Sequence, residues 1–249
     1  MKQRIYGFLW VLLISIVIVL YISIEAGASD LFINIQLPEN QTNIQINNTG
    51  VNGESCLFGN GILKKGEMTL DNFNKIAVSG IFNIKIRQQN SRRFEISCDA
   101  NLFSKIRASV SNGLLKIDTS QSLCPKLPID INVGVTELRE LHSAGADDIS
   151  VLYLDNKAFF LKSDGSGDIR ISGKTEKFHA ELSGAGDLDA SEFIADTVFV
   201  QSMGAGDARV HAKRKIKAQI EGAGDITYLG TPGQVVYNGD GVGELDADE

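Results

Sequence analysis

The chain has 249 residues and a formal net charge of −7. Its length allows one or two domains, and its acidic balance argues against a nucleic-acid-binding protein, because no basic face is available to contact phosphates. Glycine is frequent, with 25 residues, while aromatic residues make up only 7 % of the chain. This composition is typical of a thin, layered β fold with small residues at its corners.

The N-terminus has the features of a targeting segment. Lys2 and Arg4 precede residues 8–24, which carry no charge, and Ala26-Gly27-Ala28 then offers an Ala-x-Ala cleavage site. Residues 1–28 are therefore predicted to be either a cleaved signal peptide or a retained membrane anchor. Both alternatives place the rest of the chain outside the cytoplasm. A cleaved chain is expected in the periplasm, at the outer membrane surface or outside the cell, and an uncleaved chain is expected to be anchored in the inner membrane. No cysteine stands at the cleavage point, so a bacterial lipoprotein anchor is not predicted.

Residues 29–58 are predicted to be a lead-in or a cap. Two weak alternating segments, 31–37 and 44–46, are separated by Pro38 and by turns rich in asparagine. A solenoid requires such a cap, because an uncovered end exposes strand edges that pair with other chains.

Residues 59–142 form an irregular half with alternating, strand-like segments. Segments 59–62 and 79–83 look like degenerate copies of a glycine-containing corner that recurs later in the chain. The apolar residues between 102 and 106 have helical spacing and follow Asp99, which is a plausible N-cap. One short helix is therefore predicted in an otherwise all-β chain.

Residues 143–249 are organised by copies of one short phrase. Four copies read Gly-x-Gly-Asp, at 165–168, 184–187, 204–207 and 222–225, and looser copies stand at 145–148 and 241–244. The acidic positions, which recur in steps of 20, 19, 20, 18 and 19 residues, are Asp148, Asp168, Asp187, Asp207, Asp225 and Glu244. A phrase that recurs at a near-constant step indicates a repeat architecture.

Apolar and polar residues alternate after each acidic position, which indicates a strand with one buried face. A polar turn and a second alternating run follow, so each unit is predicted to hold two short strands and two turns. A single unit cannot bury its apolar face, but units stacked in parallel can. The predicted fold is an all-β, right-handed parallel β-helix (a β-solenoid) with about 18–20 residues per coil. The predicted inward positions are Ile169, Ile171, Phe178, Leu188, Val198, Val200, Val210, Ile216 and Ile226.

The corner residues are interpreted as structural. Glycine suits a backbone that turns sharply, often with φ > 0, and each aspartate is expected to accept backbone N–H bonds within its own turn while it stays solvated. In a parallel coil the acidic residues would form a column with a spacing of about 4.8 Å, and neighbours would repel by roughly 1 kcal/mol. A cation along this column is the alternative, although calcium-binding repeats have half this period.

The histidines and cysteines do not predict a reactive centre. His142, His179 and His211 occupy different positions within their repeats, so a three-histidine metal site is not indicated. The three cysteines, Cys56, Cys98 and Cys124, allow one disulfide and one free thiol, or no disulfide. A bridge between Cys98 and Cys124 is conceivable, but the sequence does not fix the pairing. No catalytic residue, metal ligand or cofactor is predicted.

The chain resembles the putative autotransporter adhesin family with the head GIN domain. Residues 73–86 carry the family's F-x-x-I-x-V-x-G-x-F-x-V-x-I pattern, and residues 59–62, 101–106 and 113–117 match further segments. Together with the serial Gly-x-Gly-Asp corners, the resemblance covers residues 59–244. The chain departs from the pattern at residues 134–137 and at 146–148. The resemblance implies an exported bacterial protein with a β-helical fold, and it implies no activity.

Three functions are compatible with these observations. The first is an exported, non-catalytic, adhesin-like protein that binds a glycan or a protein through a solenoid face, with binding residues that the sequence does not identify. The second is a structural envelope module without a ligand, and the third is a carbohydrate-active enzyme. A line of exposed side chains on one sheet would favour the first and a uniform charged surface the second. A deep groove with two carboxylates and a basic residue would favour the third, but the loops are short for a cleft.

Overall fold

The computed structural model describes residues 56–248 in full, and before them the backbone of four strands. Those strands are β1 (Arg4–Leu13), β2 (Ile16–Ala26), β3 (Leu31–Gln36) and β4 (Gln45–Asn47), and they form an antiparallel sheet in that order. The chain divides into two units, Met1–Ser55 and Cys56–Glu249. The predicted cleavage site ends at Ala28, outside the described residues, so export and cleavage stay predictions.

Among the described residues, no helix is both long enough and apolar enough to cross a membrane.

The regular secondary structure of the second unit is almost entirely strand. The strands of the irregular half are β5 (Leu57–Phe58), β6 (Leu63–Glu67), β7 (Lys75–Ser79), β8 (Asn83–Gln88), β9 (Arg93–Asp99), β10 (Ile106–Ser111), β11 (Leu114–Thr119), β12 (Leu123–Cys124), β13 (Asp130–Val135) and β14 (Glu140–Ser143). Those of the regular half are β15 (Asp148–Ser163), β16 (Ile169–Leu182), β17 (Leu188–Ser202), β18 (Ala208–Ile220), β19 (Ile226–Leu229), β20 (Gln234–Gly239) and β21 (Leu245–Ala247).

The regular half is a stack of parallel coils. Strands β15, β16, β17 and β18 pair in parallel in sequence order, and β18 then pairs with both β19 and β20. The register places one apolar residue of each coil in a single column, namely Ile149, Ile169, Leu188, Ala208, Ile226 and Leu245. The steps along this column equal those of the acidic residues, so the predicted β-solenoid and its repeat length are confirmed.

The long strands of the regular half bend instead of breaking. Strands β15 to β18 have 13 to 16 residues each. Their pairing continues beyond shifts of register, which begin within the first few residues of β15, β16 and β17. Tyr153, with φ +62°, and Gly173, with φ +130°, lie at this bend. The prediction of two short strands and a separate turn is therefore wrong for these coils, because coil-to-coil hydrogen bonds persist around the bend.

The core lies between the two halves of each bent strand. All the predicted inward positions are at most 2 % exposed, which confirms the alternation on which they were based. The column that starts at Ile149 ends at Leu245, which is only partly buried. Phe193, which also lies in the core, packs edge-to-face against Phe159 at 5.8 Å and Phe178 at 5.2 Å between ring centroids.

The corner glycines are required by close packing between coils. A Cβ atom on Gly184 would lie 1.7 Å from the carbonyl oxygen of Gly165, and one on Gly204 would lie 1.9 Å from that of Gly184. The glycines with positive φ are elsewhere, at positions that include Gly173 and Gly230. The expectation of φ > 0 at the Gly-x-Gly-Asp corners is therefore wrong, and glycine stands there because the preceding coil leaves no room for a side chain.

The junction of the two halves depends on Asp147. This residue replaces the second glycine of the corner phrase, and its buried carboxylate accepts hydrogen bonds from Phe82 N at 2.9 Å and Gly80 N at 3.2 Å. Burial raises the pKa of Asp147, although the two N–H donors act in the opposite direction. The corner of the preceding coil, at residues 79–83, is thus part of the column, because Ala146 N donates to Gly80 O at 2.9 Å.

Asp99 does not cap a helix. The predicted helix is a 3₁₀ turn, Phe103–Lys105, without a side-chain cap. The buried Asp99 carboxylate instead accepts hydrogen bonds from the backbone N–H groups of Gly61, Lys126 and Leu127. Desolvation opposes ionisation, but these three donors outweigh it and lower the pKa of Asp99. Residues 59–62 therefore lie against Asp99 and are no copy of the stacked corner.

The disulfide joins Cys56 to Cys124, with 5.5 Å between their Cα atoms, and Cys98 is a buried free cysteine. The conceivable bridge between Cys98 and Cys124 does not form. Next to the disulfide, β5 pairs in parallel with β12. Together with Asp99, the disulfide fixes the start of the second unit against the loop that follows β12.

Candidate functional site

One outward face of the solenoid carries a line of aromatic side chains. It is formed by the second halves of β15, β16, β17 and β18, together with β20. Because the apolar residues of these segments point inwards, alternate residues point outwards. The parallel register places four of these outward residues in one row, one from each successive coil. We call this row the ladder, and its members are Phe160, His179, Phe199 and Lys217.

The ladder rings contact one another edge-to-face. The ring centroids of Phe160 and His179 lie 5.0 Å apart, and those of His179 and Phe199 lie 4.5 Å apart. The Nζ atom of Lys217 lies 5.0 Å from the centroid of Phe199 and so forms a cation–π contact. His142 adds a further edge contact to Phe160 at 5.8 Å. These contacts restrain side chains that remain partly exposed.

His179 is the polar ring of the ladder. Its Nε2 atom lies 3.3 Å from Oε1 of Glu181 but has no hydrogen-bond partner, because the geometry of that approach is unsuitable. Burial between its neighbours lowers the pKa of His179, and the Glu181 carboxylate only partly offsets this effect. The lowered pKa favours the neutral imidazole, whose ring stands nearly perpendicular to those of Phe160 and Phe199.

Polar columns run along both sides of the ladder. On one side, Lys177, Thr197 and Lys215 follow one another on successive coils. The other side, nearer the Gly-x-Gly-Asp corners, consists of Lys162, Glu181, Gln201 and Gln219. Gln219 donates to Glu221 at 2.6 Å, and Lys162 forms an ion pair with Asp164 at 3.1 Å.

A groove of about 1080 Å³ follows the bend of the coils. It starts beside the ladder face at Ala158. Its lining includes Glu137, Asp155, Glu176 and Asp196, together with Arg139, Lys157, Lys174 and Lys213. Short loops therefore do leave a groove, contrary to the expectation from the sequence. Its carboxylates are largely engaged in ion pairs: Glu137 with Arg139, Asp155 with Lys174 and Asp196 with Arg214.

The acidic column stands at the corners, as predicted, but its hydrogen bonds run between coils. Oδ1 of each aspartate accepts the backbone N–H of the acidic residue one coil further on, at 2.9 to 3.2 Å. The expectation that each carboxylate is bound within its own turn is therefore wrong. In residues 56–248, no group of three or more histidine, cysteine or acidic side chains could hold a metal ion.

The histidines are dispersed as the sequence indicated. His142, on β14, contacts Phe160 of the ladder but stands in a different column from His179. Nδ1 of His211 lies 3.2 Å from the carbonyl oxygen of Ser191, near the bend. The ladder itself was missed by the sequence analysis. Its signal is present, because Phe160, His179, Phe199 and Lys217 follow one another at steps of 19, 20 and 18 residues, in keeping with the coil length.

A comparison with known protein families shows the family to which the chain is related. The model of the putative auto-transporter adhesin family, head GIN domain, matches residues 72–232. The chain belongs to this family. The matched segment begins just before β7 and ends after β19, so it includes the ladder, the junction at Asp147 and the stacked corners up to Asp225. A comparison with curated proteins found no match.

Solved structures share the fold. A putative adhesin from Bacteroides fragilis is 20 % identical, with a TM-score of 0.65 over 77 % of this chain and 100 % of its own. A putative adhesin from Parabacteroides merdae is 20 % identical, with a TM-score of 0.51 over 78 % of this chain and 99 % of its own. A putative lipid binding protein from Parabacteroides distasonis is 19 % identical, with a TM-score of 0.51 and the same shares of both chains.

Proposed function

We propose that this chain is an exported, non-catalytic, adhesin-like protein that binds a glycan through the ladder face. The observation that carries the proposal is the row formed by Phe160, His179 and Phe199, which stay partly exposed on the outside of the solenoid while their rings contact one another. Membership of the adhesin family supports an exported binding protein in general terms.

The chemistry of the face suits a sugar. Aromatic rings offer an electron-rich surface to the polarised C–H groups on the apolar side of a pyranose. Hydroxyl groups at the rim of the sugar need donors and acceptors, and Thr197, Gln201 and Glu181 stand beside the rings on neighbouring columns. Since the rings are held by mutual contacts on a paired sheet, little side-chain entropy would be lost on binding.

The two other functions have less support. A structural module without a ligand would not need partly exposed aromatic residues in register on successive coils. A carbohydrate-active enzyme could use the groove at the bend, where carboxylates and basic residues do occur together. However, Glu137, Asp155 and Asp196 are engaged with neighbouring cations, whereas a general acid needs a carboxyl group held away from such partners.

Export forms part of the same proposal. Residues 1–28 would direct the chain out of the cytoplasm, either as a cleaved signal peptide or as an anchor through residues 8–24. Fractionation of cells that produce the full chain should recover it in the envelope or the medium. N-terminal sequencing would then separate the two alternatives, since cleavage leaves Ser29 at the start. A soluble cytoplasmic species of full length would contradict export.

Glycan binding can be tested with variants of the rings. The purified protein would be applied to a panel of immobilised glycans, together with Phe199→Ala and the control Tyr153→Ala. Tyr153 is also an exposed aromatic residue, 62 % exposed, but it lies at the bend and outside the ladder. We expect Phe199→Ala to lower the affinity at least about tenfold, as loss of an anchoring ring does, and Tyr153→Ala to bind like the parent. Equal binding by both variants would contradict the proposed site.

A further inference from the structure

We propose that the glycan recognised by the ladder face is acidic and that its carboxylate, sulfate or phosphate group is bound by Lys177 and Lys215. This inference rests on the proposed function. It adds the charge of the ligand and the orientation of the ligand on the ladder face. It is drawn from the column that borders the ladder on the side of the bend.

The two lysines form a matched pair. They lie on β16 and β18 with Thr197 of β17 between them, so their backbones are two strand spacings apart, roughly 9.6 Å. Each precedes a ladder residue by two positions, since Lys177 precedes His179 and Lys215 precedes Lys217. An acidic group on a sugar that covers the rings would therefore come within reach of one or both ammonium groups.

Both lysines are available for a ligand. In the part of the chain from 56 to 248, neither Lys177 nor Lys215 forms an ion pair with a carboxylate, whereas Lys162, on the opposite side of the ladder, is paired with Asp164. Lys177 is exposed and Lys215 is partly exposed. Lys217 adds a third positive charge within the ladder, close to the Phe199 ring. Unpaired cations beside a row of aromatic rings are complementary to an anion attached to a sugar.

The opposite side of the ladder carries the opposite charge. Glu181, Asp164 and Glu221 lie there, and beyond them the acidic column follows the corners. An acidic group would be repelled from that side, so the ligand has one orientation, with its hydroxyl groups towards Gln201 and Glu181. The groove beyond the lysines is lined by four acidic and four basic residues, so it adds no strong field of its own.

The charge pattern also selects among anionic ligands. A nucleic acid presents a continuous line of phosphates, which would pass from the lysine column to Glu181 and the acidic corners. A polybasic surface would be needed to compensate the charge of those phosphates, whereas the chain has a net charge of −7. An acidic oligosaccharide, which carries separate charges on an otherwise neutral and partly apolar body, matches two lysines beside three rings.

The test compares an oligosaccharide that contains uronic acid with its carboxyl-reduced, neutral form. Affinities of the full chain for both would be measured by calorimetry at low and high salt. We expect the acidic form to bind about tenfold more tightly, as charge-assisted hydrogen bonds do, and this advantage to shrink as salt is added. The double variant Lys177→Gln/Lys215→Gln should lose most of this preference, because only Lys217 is left as a positive charge beside the rings. The control Lys65→Gln/Lys85→Gln, which removes two exposed lysines from β6 and β8, should behave like the parent.

Each outcome decides between the two proposals. If the parent binds both forms equally and Phe199→Ala weakens both, the acidic preference is wrong and the glycan site stands. If the acidic form binds tightly to the Lys177→Gln/Lys215→Gln variant, its charge is recognised elsewhere and the inference is overturned. If binding of either form is indifferent to Phe199→Ala, or if neither form binds, the ladder is not a glycan site and both proposals are overturned. Tight binding of a single-stranded oligonucleotide that the lysine variant loses would replace the glycan with a nucleic acid.

Discussion

Oδ1 of Asp187 accepts a hydrogen bond from the backbone N–H of Asp207, one coil further on, at 2.9 Å. The same bond joins Asp168 to Asp187 at 3.1 Å and Asp207 to Asp225 at 2.9 Å. Each carboxylate thus satisfies a backbone donor at the corner of its neighbour. This arrangement explains why a column of like charges is tolerated, because a charge-assisted hydrogen bond offsets the repulsion between neighbouring carboxylates.

The role of this bond can be measured at Asp187. The Asp187→Ala variant leaves the N–H of Asp207 without its partner, and the free energy of unfolding should fall by about 1 kcal/mol, as it does when a capping residue is lost. The Asp187→Asn variant retains an acceptor and removes a charge, so a change of less than about 0.5 kcal/mol is expected. Urea denaturation measures both values. The exposed Asp246, which has no such bond, is the control, and an equal loss in Asp246→Ala would show that the bond between coils is unimportant.

Calcium should not alter the stability of the solenoid. Each corner aspartate uses Oδ1 for a backbone N–H group of the next coil, and in residues 56–248 no group of three or more histidine, cysteine or acidic side chains could hold a metal ion. The melting temperature should therefore be the same with millimolar calcium and with a chelator. Ligand binding to the folded state raises stability by mass action, so a fall of several degrees on chelation, absent in Asp187→Asn, would establish a cation site.

Val200 tests the register of the coils. It is fully buried and stands in the inward column with Ala180 and Ala218. The Val200→Asp variant would place an unpaired charge in the core and should lose at least about 3 kcal/mol in urea denaturation, or fail to fold. Thr197→Asp, on the outward face of the same strand, should cost less than about 1 kcal/mol. Similar effects of the two changes would contradict the assigned inward face.

The fold could be predicted from the sequence because the coil repeat appears there as a regular spacing of similar residues. The recurrence of the acidic residues fixed the coil length, and the alternation after each of them identified the inward residues, including Val200. The bonding partners could not be predicted in this way. Asp187 can accept a hydrogen bond within its own turn or from the next coil, depending on how the two corners are offset in space. The spacing of residues along the chain does not determine this offset.

The candidate site was harder to recognise in the sequence, because the residues that recur once per coil are a few aromatic residues among many others. Phe160, His179 and Phe199 are all aromatic but are not one residue type, and each stands beside an inward aromatic or apolar residue that obscures the pattern. Only the register of β15, β16 and β17 shows that they form one row. The lysine column is similarly interrupted by Thr197.

The corner glycines should tolerate no side chain. A Cβ atom in Gly184→Ala would meet the carbonyl oxygen of Gly165 at 1.7 Å, and this oxygen belongs to backbone that cannot rotate away. The two coils would have to separate at the corner, with an expected cost of about 2 kcal/mol or more. Ser166→Ala is the matched control, since position x of the phrase points outwards and holds alanine in neighbouring corners. A Gly184→Ala protein as stable as Ser166→Ala would contradict the close stacking of the coils.

His179 should make the stability of the protein depend on pH. Because its pKa in the folded state is lowered, chiefly by burial, the unfolded chain binds a proton more readily than the folded one. The free energy of unfolding is therefore not reduced by His179 above the pKa of histidine in the unfolded chain, about 6.5. It decreases as the pH falls below that value towards the lower pKa of His179 in the folded protein. Asp147, with a raised pKa, works in the opposite direction at more acidic pH.

The contribution of His179 can be isolated with a substitution that keeps the ring. In His179→Phe the three rings of the ladder would all be phenylalanines, and the loss of stability between pH 7 and pH 5.5 should be smaller than in the parent. The imidazole is partly exposed, with 41 % of its side chain accessible, so the difference should stay below about 1 kcal/mol. Denaturation curves at several pH values give this quantity directly. Parallel pH profiles for the two proteins would show that His179 titrates as it does in the unfolded chain.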